Sequence, residues 1–406
     1  MNILFLGQFI PPKLLKTVVE DSKGKIGFSN HNFEISIIEG LKQQQGVSLK
    51  ILTAPKVYSY PYNNTKFYTP HENYLSDNVP IYSIGFCNLP IINKLSILFG
   101  ILFRLILTFN KYQGNTINVI VNTPNVFIET ALLIAQRFTN KKITKTLIIP
   151  DIPQFVTSMD QQNPIKKNII KWLDQFAMSV ANKFDYYVFL TETMTDFFPQ
   201  RRLKYIVMEG IINIKNERLT LPSNEPDHEI ILYTGTLRKI FGIIELVKIF
   251  DLGKFPNTEL WICGSGEAKA ELELWAQKNP RIKFWGLVSS EKARELQMQA
   301  TILANPRSSK GEYTKYSFPS KTIEYLLSGK NVIMNKLPGV PQDYYQYVYA
   351  PNNESIDAWI QTINQILSAK KNNRKERAQL GREFILKNKN AATQCARILN
   401  LIEQNS

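Results

Sequence analysis

Cysteine is scarce in this sequence: Cys87, Cys263 and Cys395 are the only three in 406 residues. An odd, scattered set excludes a disulfide framework and a zinc site, and fits a reducing compartment. Histidine is as rare, three in all, and His31 has no second ligand at metal spacing, so it reads as a polar loop residue. No Asp-x-Asp cluster stands near a candidate phosphate loop. There is no low-complexity tract and no obvious repeat, and nothing in the composition argues for disorder. The first strand-like run, MNILFLGQF, lacks the basic flank of a signal peptide, and the expected location is the cytoplasm. A long uninterrupted apolar run is missing too, since the richest stretch, 91–110, carries Lys94 and Arg104. That argues against a spanning helix and leaves two readings: an amphipathic helix that touches lipid, or a helix packed on a sheet.

What is present is size, positive charge and a repeated rhythm. A chain of 406 residues suits two domains of roughly 150–200 residues each. The net charge of +15 is compatible with nucleic acid, an anionic membrane or phosphorylated ligands. The basic residues are dispersed and no nucleic-acid module is recognisable, which disfavours the first. Apolar, β-rich runs at 2–6, 48–54, 117–122, 143–149, 185–190 and 204–208 alternate with segments of helical spacing. Such alternation predicts a parallel sheet covered on both faces. Turn formers dominate 213–228, the expected linker. After it EIILYTG, TELWICG, RIKFWG, TILANP, NVIMN and QYVYAP predict a second doubly wound sheet over 229–385.

The most informative stretch runs from Thr301 to Asn335 and reads as strand, loop, helix and strand. Ser317 is the expected N-cap and Pro319 suits the first turn, while Ile323, Leu326 and Leu327 form an apolar face that ends at Ser328-Gly329. The first turn of such a helix, at Ser317–Ser320, offers backbone N–H groups to an anion, most naturally phosphate. Lys321 and Arg307 add cations. Glu324 lies on the same side as Lys321 and suits the paired hydroxyls of a ribose. The alternative is an ordinary capped helix with a surface Lys–Glu pair.

The string SFPSKTIEYLLSGK resembles the donor-binding motif of GT-B glycosyltransferases, in particular family 4 and its branch that builds bacterial capsular and exopolysaccharides. The resemblance extends from Asn30-x-Asn32-Phe33-Glu34 through the SGK turn. It implies an α/β GT-B fold, two doubly wound Rossmann-like domains facing across a cleft: an acceptor-side domain at 1–212, the linker at 213–228, a nucleotide-sugar domain at 229–385, and a final helix, 386–406, that packs back toward the first domain. In that family the second of two glutamates eight positions apart holds the donor ribose, and Glu324 matches it. Tyr316 stands where the first would be, so a phenol replaces the usual acidic contact to the donor sugar.

Other loops gain meaning beside this motif. Gly235-Thr236-Leu237-Arg238-Lys239 follows a buried strand, and Arg238 and Lys239 offer charge to a diphosphate. The family places Arg directly after that glycine and Lys before the next; here Thr236 and Phe241 hold those places, so either Arg238 and Lys239 or Arg307 and Lys321 bear the charge. The Gly264-Ser265-Gly266 turn lacks the third glycine of a dinucleotide fingerprint and reads as a tight turn beside the donor. FWGLVS at 284–289 resembles the base-recognising segment, with Trp285 itself left as a core candidate. On the first domain the loop bearing Gly24, Gly27, Asn30 and Asn32 is either a flexible helix entry or, as the resemblance implies, an acceptor-side loop. It should share a crevice with the turns Asn122–Asn125 and Pro150–Pro153. Asp151 either orients or deprotonates an acceptor hydroxyl, or closes an Asx turn.

The implied activity is a retaining, metal-independent transfer of a sugar from a nucleoside diphosphate donor, expected to be UDP-linked, to an acceptor hydroxyl. Asp151, Arg307 and Lys321 are the expected catalytic residues, and no cofactor is expected. Charge and the 91–110 run suggest a lipid-linked glycan acceptor in surface polysaccharide assembly, at the inner face of the cell membrane. Two further readings stay open: a non-catalytic partner subunit of another transferase, kept alive by Tyr316, and a GT-B UDP-sugar epimerase.

Overall fold

The computed structural model describes residues 1–405 except 23–27, 76–78, 123–124, 153–154, 156–163, 200–201 and 214–225. The chain forms two compact units, residues 1–213 with 390–406, and residues 214–389. Most of the expected linker lies outside the described residues.

The first unit is built on an eight-stranded sheet. Its strands are β1 (Asn2–Gly7), β2 (Ser48–Thr53), β4 (His71–Tyr74), β5 (Pro80–Ser83), β7 (Thr116–Asn122), β8 (Lys142–Ile149), β9 (Tyr186–Phe189) and β10 (Tyr205–Val207), in the order β10-β9-β8-β7-β1-β2-β5-β4. All pair in parallel except β4, which runs antiparallel to β5. The central strands are continuous apolar runs because helices cover both faces: Phe5 lies between Ile51 and Ile120 and is fully buried. A two-stranded ribbon, β3 (Phe67–Tyr68) with β6 (Phe86–Cys87), and the β4–β5 pair were not expected from the sequence. The last helix, Ala391–Glu403, belongs to this unit; its Ile398 and Ile402 share a core with Ile37, Ile38 and Leu41 of the helix Phe28–Lys42.

The helix Ile92–Lys111 is long and apolar enough to cross a bilayer by length and composition. It lies on the first unit, with Ile97, Ile101, Leu105 and Phe109 buried at i, i+4 spacing. Its other side is apolar as well: Leu95, Phe99 and Phe103 face outward, the two phenylalanines 61% and 66% exposed. Arg104 is turned onto the protein, bonded to Glu72 at 2.7 Å and stacked on Tyr82 at 3.4 Å.

The second unit carries β11 (Glu229–Thr234), β12 (Thr258–Cys263), β13 (Ile282–Gly286), β14 (Ile302–Asn305) and β15 (Asn331–Met334), all parallel, in the order β13-β12-β11-β14-β15. A sixth strand was expected at QYVYAP, but that segment makes only the single bridge Ile333↔Tyr349. In this order the chain reverses direction across the sheet between β11 and β14, and in the first unit between β1 and β7. Ligands of doubly wound sheets bind beyond the carboxyl ends of strands at such switch points.

Candidate nucleotide site

At the carboxyl ends of β11 and β12 two glycines of positive φ bring the chain close to its neighbours. Gly235 has φ +146°, and a Cβ there would stand 2.0 Å from Lys321 Cε. Gly264, after β12, has φ +143°, and its Cβ would lie 1.7 Å from the Gly235 carbonyl oxygen. The two turns therefore lie one on the other, with the Lys321 side chain laid across the first. The charge of Lys321 is also felt at Cys263, the last residue of β12: burial pushes that thiol up to about 12, against the opposing charges of Lys292 and Lys321.

Lys321 is in the first turn of the helix Ser320–Leu327, and the start of that helix differs from expectation. The capping position belongs to Pro319, and among the described residues no side chain caps the first turn. Ser317 is instead turned away: its Oγ donates to the Tyr313 carbonyl at 2.9 Å and accepts from Arg307 Nη2 at 2.6 Å. The outcome for an anion is favourable, because no serine hydroxyl competes for the N–H groups of Ser320 and Lys321. Tyr316, half-buried, is on the same loop.

Arg307 is held from several sides. Its guanidinium stacks on Tyr313 at 4.7 Å and on Phe241 at 5.6 Å, while Arg238 approaches the same Phe241 ring at 5.8 Å. Phe241, which replaces the lysine of the family pattern, thus gathers two arginines. The Arg307 loop is fixed from behind: buried Asn335 donates to the Arg307 carbonyl at 3.0 Å and accepts from Trp359 Nε1 at 2.8 Å. Glu354 takes hydrogen bonds from Ser308 Oγ and Ser309 N–H, both at 2.6 Å. Burial alone would push Glu354 up, but these two donors hold its carboxylate below the ordinary range. Burial raises the Tyr233 phenol near the end of β11 and the Arg307 charge opposes it, so the guanidinium acts at that strand end. Lys239 does not share this arrangement; it pairs with Glu271 at 2.7 Å on the surface.

Glu324 is exposed one turn along the helix, and its Oε1 accepts from Gln297 Nε2 at 2.6 Å. Trp285, expected as a core candidate, is partly exposed, packed on Trp261 at 5.3 Å. Among the described residues no group of three or more His, Cys, Asp or Glu could hold a metal ion.

The strand ends of the first unit tell a different story from the one the loop pattern suggested. Gly27 lies outside the described residues. Asn30 and Asn32 are not in a loop, because the helix begins at Phe28. Asn32 is exposed, while Asn30 turns its Nδ2 to Glu34 Oε1 at 3.1 Å. Glu34, named in the sequence as part of the family resemblance but given no role there, is the hub: fully buried, it accepts from the N–H groups of Gln8 at 2.8 Å and Phe9 at 2.7 Å, and from Asn122 Nδ2 at 2.9 Å. Burial pushes its carboxyl up to about 7, against these donors, which pull it down. His31 Nδ1 accepts from the Ile10 N–H at 3.2 Å, and burial lowers its basicity. Asp151 is exposed, two residues past the end of β8. Asn125 caps the helix Val126–Ala135 by accepting from the Phe127 N–H.

These two units, each with its loops at the carboxyl ends of a parallel sheet, have the GT-B fold. The chain shares it with sucrose-phosphate synthase from Thermosynechococcus elongatus, at 14% identity with all of both chains covered and a TM-score of 0.65. HepE of Anabaena, solved with UDP, has it at 16% identity, full coverage of both chains and a TM-score of 0.63. The apo lipopolysaccharide outer core galactosyltransferase WaaB has it at 12% identity, full coverage of both and a TM-score of 0.61. Residues 217–384 match the sequence profile of the family described as Glycosyl transferases group 1. No curated protein sequence matches the chain. The profile and the fold together support a nucleotide-sugar glycosyltransferase.

Proposed function

We propose that the protein is a retaining glycosyltransferase that uses a UDP-linked sugar without a metal ion. The observation that carries this reading is Lys321, laid over the Gly235 turn at an uncapped helix start on the switch-point side of β11. When the bond from the anomeric carbon to phosphate breaks, negative charge grows on the departing diphosphate and positive charge on the sugar. Lys321, Arg307 and the first-turn N–H groups would supply fixed positive potential to the leaving group, a form of stabilisation that needs no reorganisation during the reaction. Glu324 would accept from the ribose hydroxyls. UDP is favoured as the nucleotide because HepE has been solved with both UDP and UDP-glucose. Asp151 is the proposed acceptor-orienting carboxylate. TarM of S. aureus, similar at 14% identity and a TM-score of 0.55, was solved as a mutant in complex with fondaparinux and α-GlcNAc-glycerol as well as UDP, which favours a glycan as the acceptor here.

A lipid-linked glycan is the proposed acceptor, in surface polysaccharide assembly at the cytoplasmic leaflet. It is supported by the outward apolar stripe of the helix Ile92–Lys111 and the net charge of +15. Tyr316 favours one second reading, a nucleotide-binding partner subunit without turnover of its own. A donor-hydrolysis screen over nucleotide sugars separates the two: release of UDP from one UDP-sugar is expected, and binding of UDP with no turnover of any donor would favour the partner subunit.

A further inference from the structure

Glu324 meets any ligand with one oxygen already occupied. Gln297 Nε2 donates to its Oε1 at 2.6 Å, and the same nitrogen lies 3.1 Å from Thr234 Oγ1. Thr234 is held in turn by Tyr325, whose Oη accepts the Thr234 N–H at 2.9 Å and donates to the Thr234 carbonyl at 3.2 Å. Tyr325 follows Glu324 on the same helix, so the network closes on itself: Glu324, Gln297, Thr234, Tyr325 and back along the backbone. Three elements are joined by it, the end of β11, the helix Ser290–Gln299 and the helix Ser320–Leu327. Gln297 is only 2% exposed, and Thr234 and Tyr325 are buried with it. A carboxylate can only accept, so the amide must present its nitrogen to Glu324, and both of its hydrogens are spoken for.

We propose that Gln297 is a positioning residue for nucleotide recognition. It fixes the Glu324 carboxylate so that Oε2 is left for the ligand, and it ties that carboxylate to the strand end from which Gly235 meets Lys321. Ribose and phosphate contacts are then set by one rigid network. This rests on the reading of Glu324 as the ribose acceptor. A long, exposed glutamate carries several rotatable bonds, and holding it in place before the ligand arrives removes an ordering cost from binding. A buried amide that donates twice is a suitable clamp, since losing it also strands two acceptors.

The test is calorimetric titration of the full chain with UDP and with 2′,3′-dideoxy-UDP, with ADP and GDP as controls for the base. The wild-type protein should prefer UDP to its dideoxy analogue. Gln297→Leu should weaken UDP by about tenfold, the scale of one charge-assisted hydrogen bond. It should also erase the preference over the dideoxy analogue while the helical content is unchanged. A purely structural role would lower both affinities in parallel. Gln297→Glu keeps the length but sets two carboxyls in contact; one shared proton can replace the amide at pH 5.5 and not at pH 8, so binding should be restored only in acid. A Gln297→Leu protein that still distinguishes UDP from the dideoxy form overturns the proposal. If Glu324→Gln also leaves that preference intact, the ribose role of Glu324 is wrong and the inference goes with it. No binding of UDP, ADP or GDP by the wild type would overturn the nucleotide reading and the inference together.

Discussion

Replacing Glu129 by leucine should stabilise the first unit, and the gain should grow with pH. Glu129 is in the first turns of the helix Val126–Ala135, fully buried, and among the described residues neither carboxyl oxygen has a hydrogen-bond partner of ordinary geometry. Burial pushes its pKa from 4.5 up to about 8, and the nearby amide of Asn125 offsets this only in part. The folded chain therefore binds a proton at Glu129 that the unfolded chain has released. Stability from this group is greatest below pH 4.5, declines as the pH rises, and is lost above about pH 8. At about 1.4 kcal/mol per pH unit, the interval from 4.5 to about 8 sets an upper bound of about 5 kcal/mol. Loss of about 3 kcal/mol between pH 5.5 and 9 would lower the melting temperature of a unit this size by about 6–12 °C. Glu34, pushed up to about 7, adds a slope of the same sign, so some pH dependence should remain in the variant. Scanning calorimetry at pH 5.5 and 9 reads the effect. Glu129→Leu should shrink the difference between the two pH values, and Glu129→Gln should do the same with less gain at pH 5.5, because its amide still lacks a partner. Equal pH dependence in wild type and Glu129→Leu would refute the reasoning.

Glu324→Gln should weaken UDP by about 10- to 100-fold, since hydrogen bonds to a charged acceptor are worth about 1.5–3 kcal/mol each; unchanged affinity by calorimetry would remove Glu324 from the site. Lys321→Ala should lower kcat more than it weakens the donor, by about 100-fold or more, because the charge it meets grows in the transition state; a change confined to KM would contradict that role. Turnover should persist in excess chelator, and activity regained only on adding magnesium or manganese would reveal a metal site. Vesicles with anionic lipid should carry the protein upward in flotation at low salt, and Phe103→Glu should release it by placing a charge in the exposed apolar stripe. Failure to float with any vesicle would turn the acceptor assignment toward a soluble glycan.

The parallel strands were legible because burial on both faces turns them into apolar runs, as in NILFLG and TINVIVN. The β3–β6 ribbon and β4–β5 pair were not, since strands of two to four residues such as FY and HENY are too short to show any period. In the candidate site, Lys321, Arg307 and Glu324 could be chosen from residue type and spacing, but Ser317 was misplaced. A serine ahead of a proline looks like a cap, yet here Pro319 adopts the extended backbone of the capping position and the serine hydroxyl serves Arg307. Lys239 and Arg238 look alike in sequence, and only their neighbours separate them: Glu271 takes the lysine, Phe241 the arginine. Glu34 left a usable signal, for it lies on the stripe with Ile37, Ile38 and Leu41, where a carboxylate must either find donors or stay protonated. Gln297 left none. In SEKARELQMQ it reads as one more polar residue of a surface helix, and its role exists only because a strand end and a second helix, brought close by the fold, each present it with an oxygen.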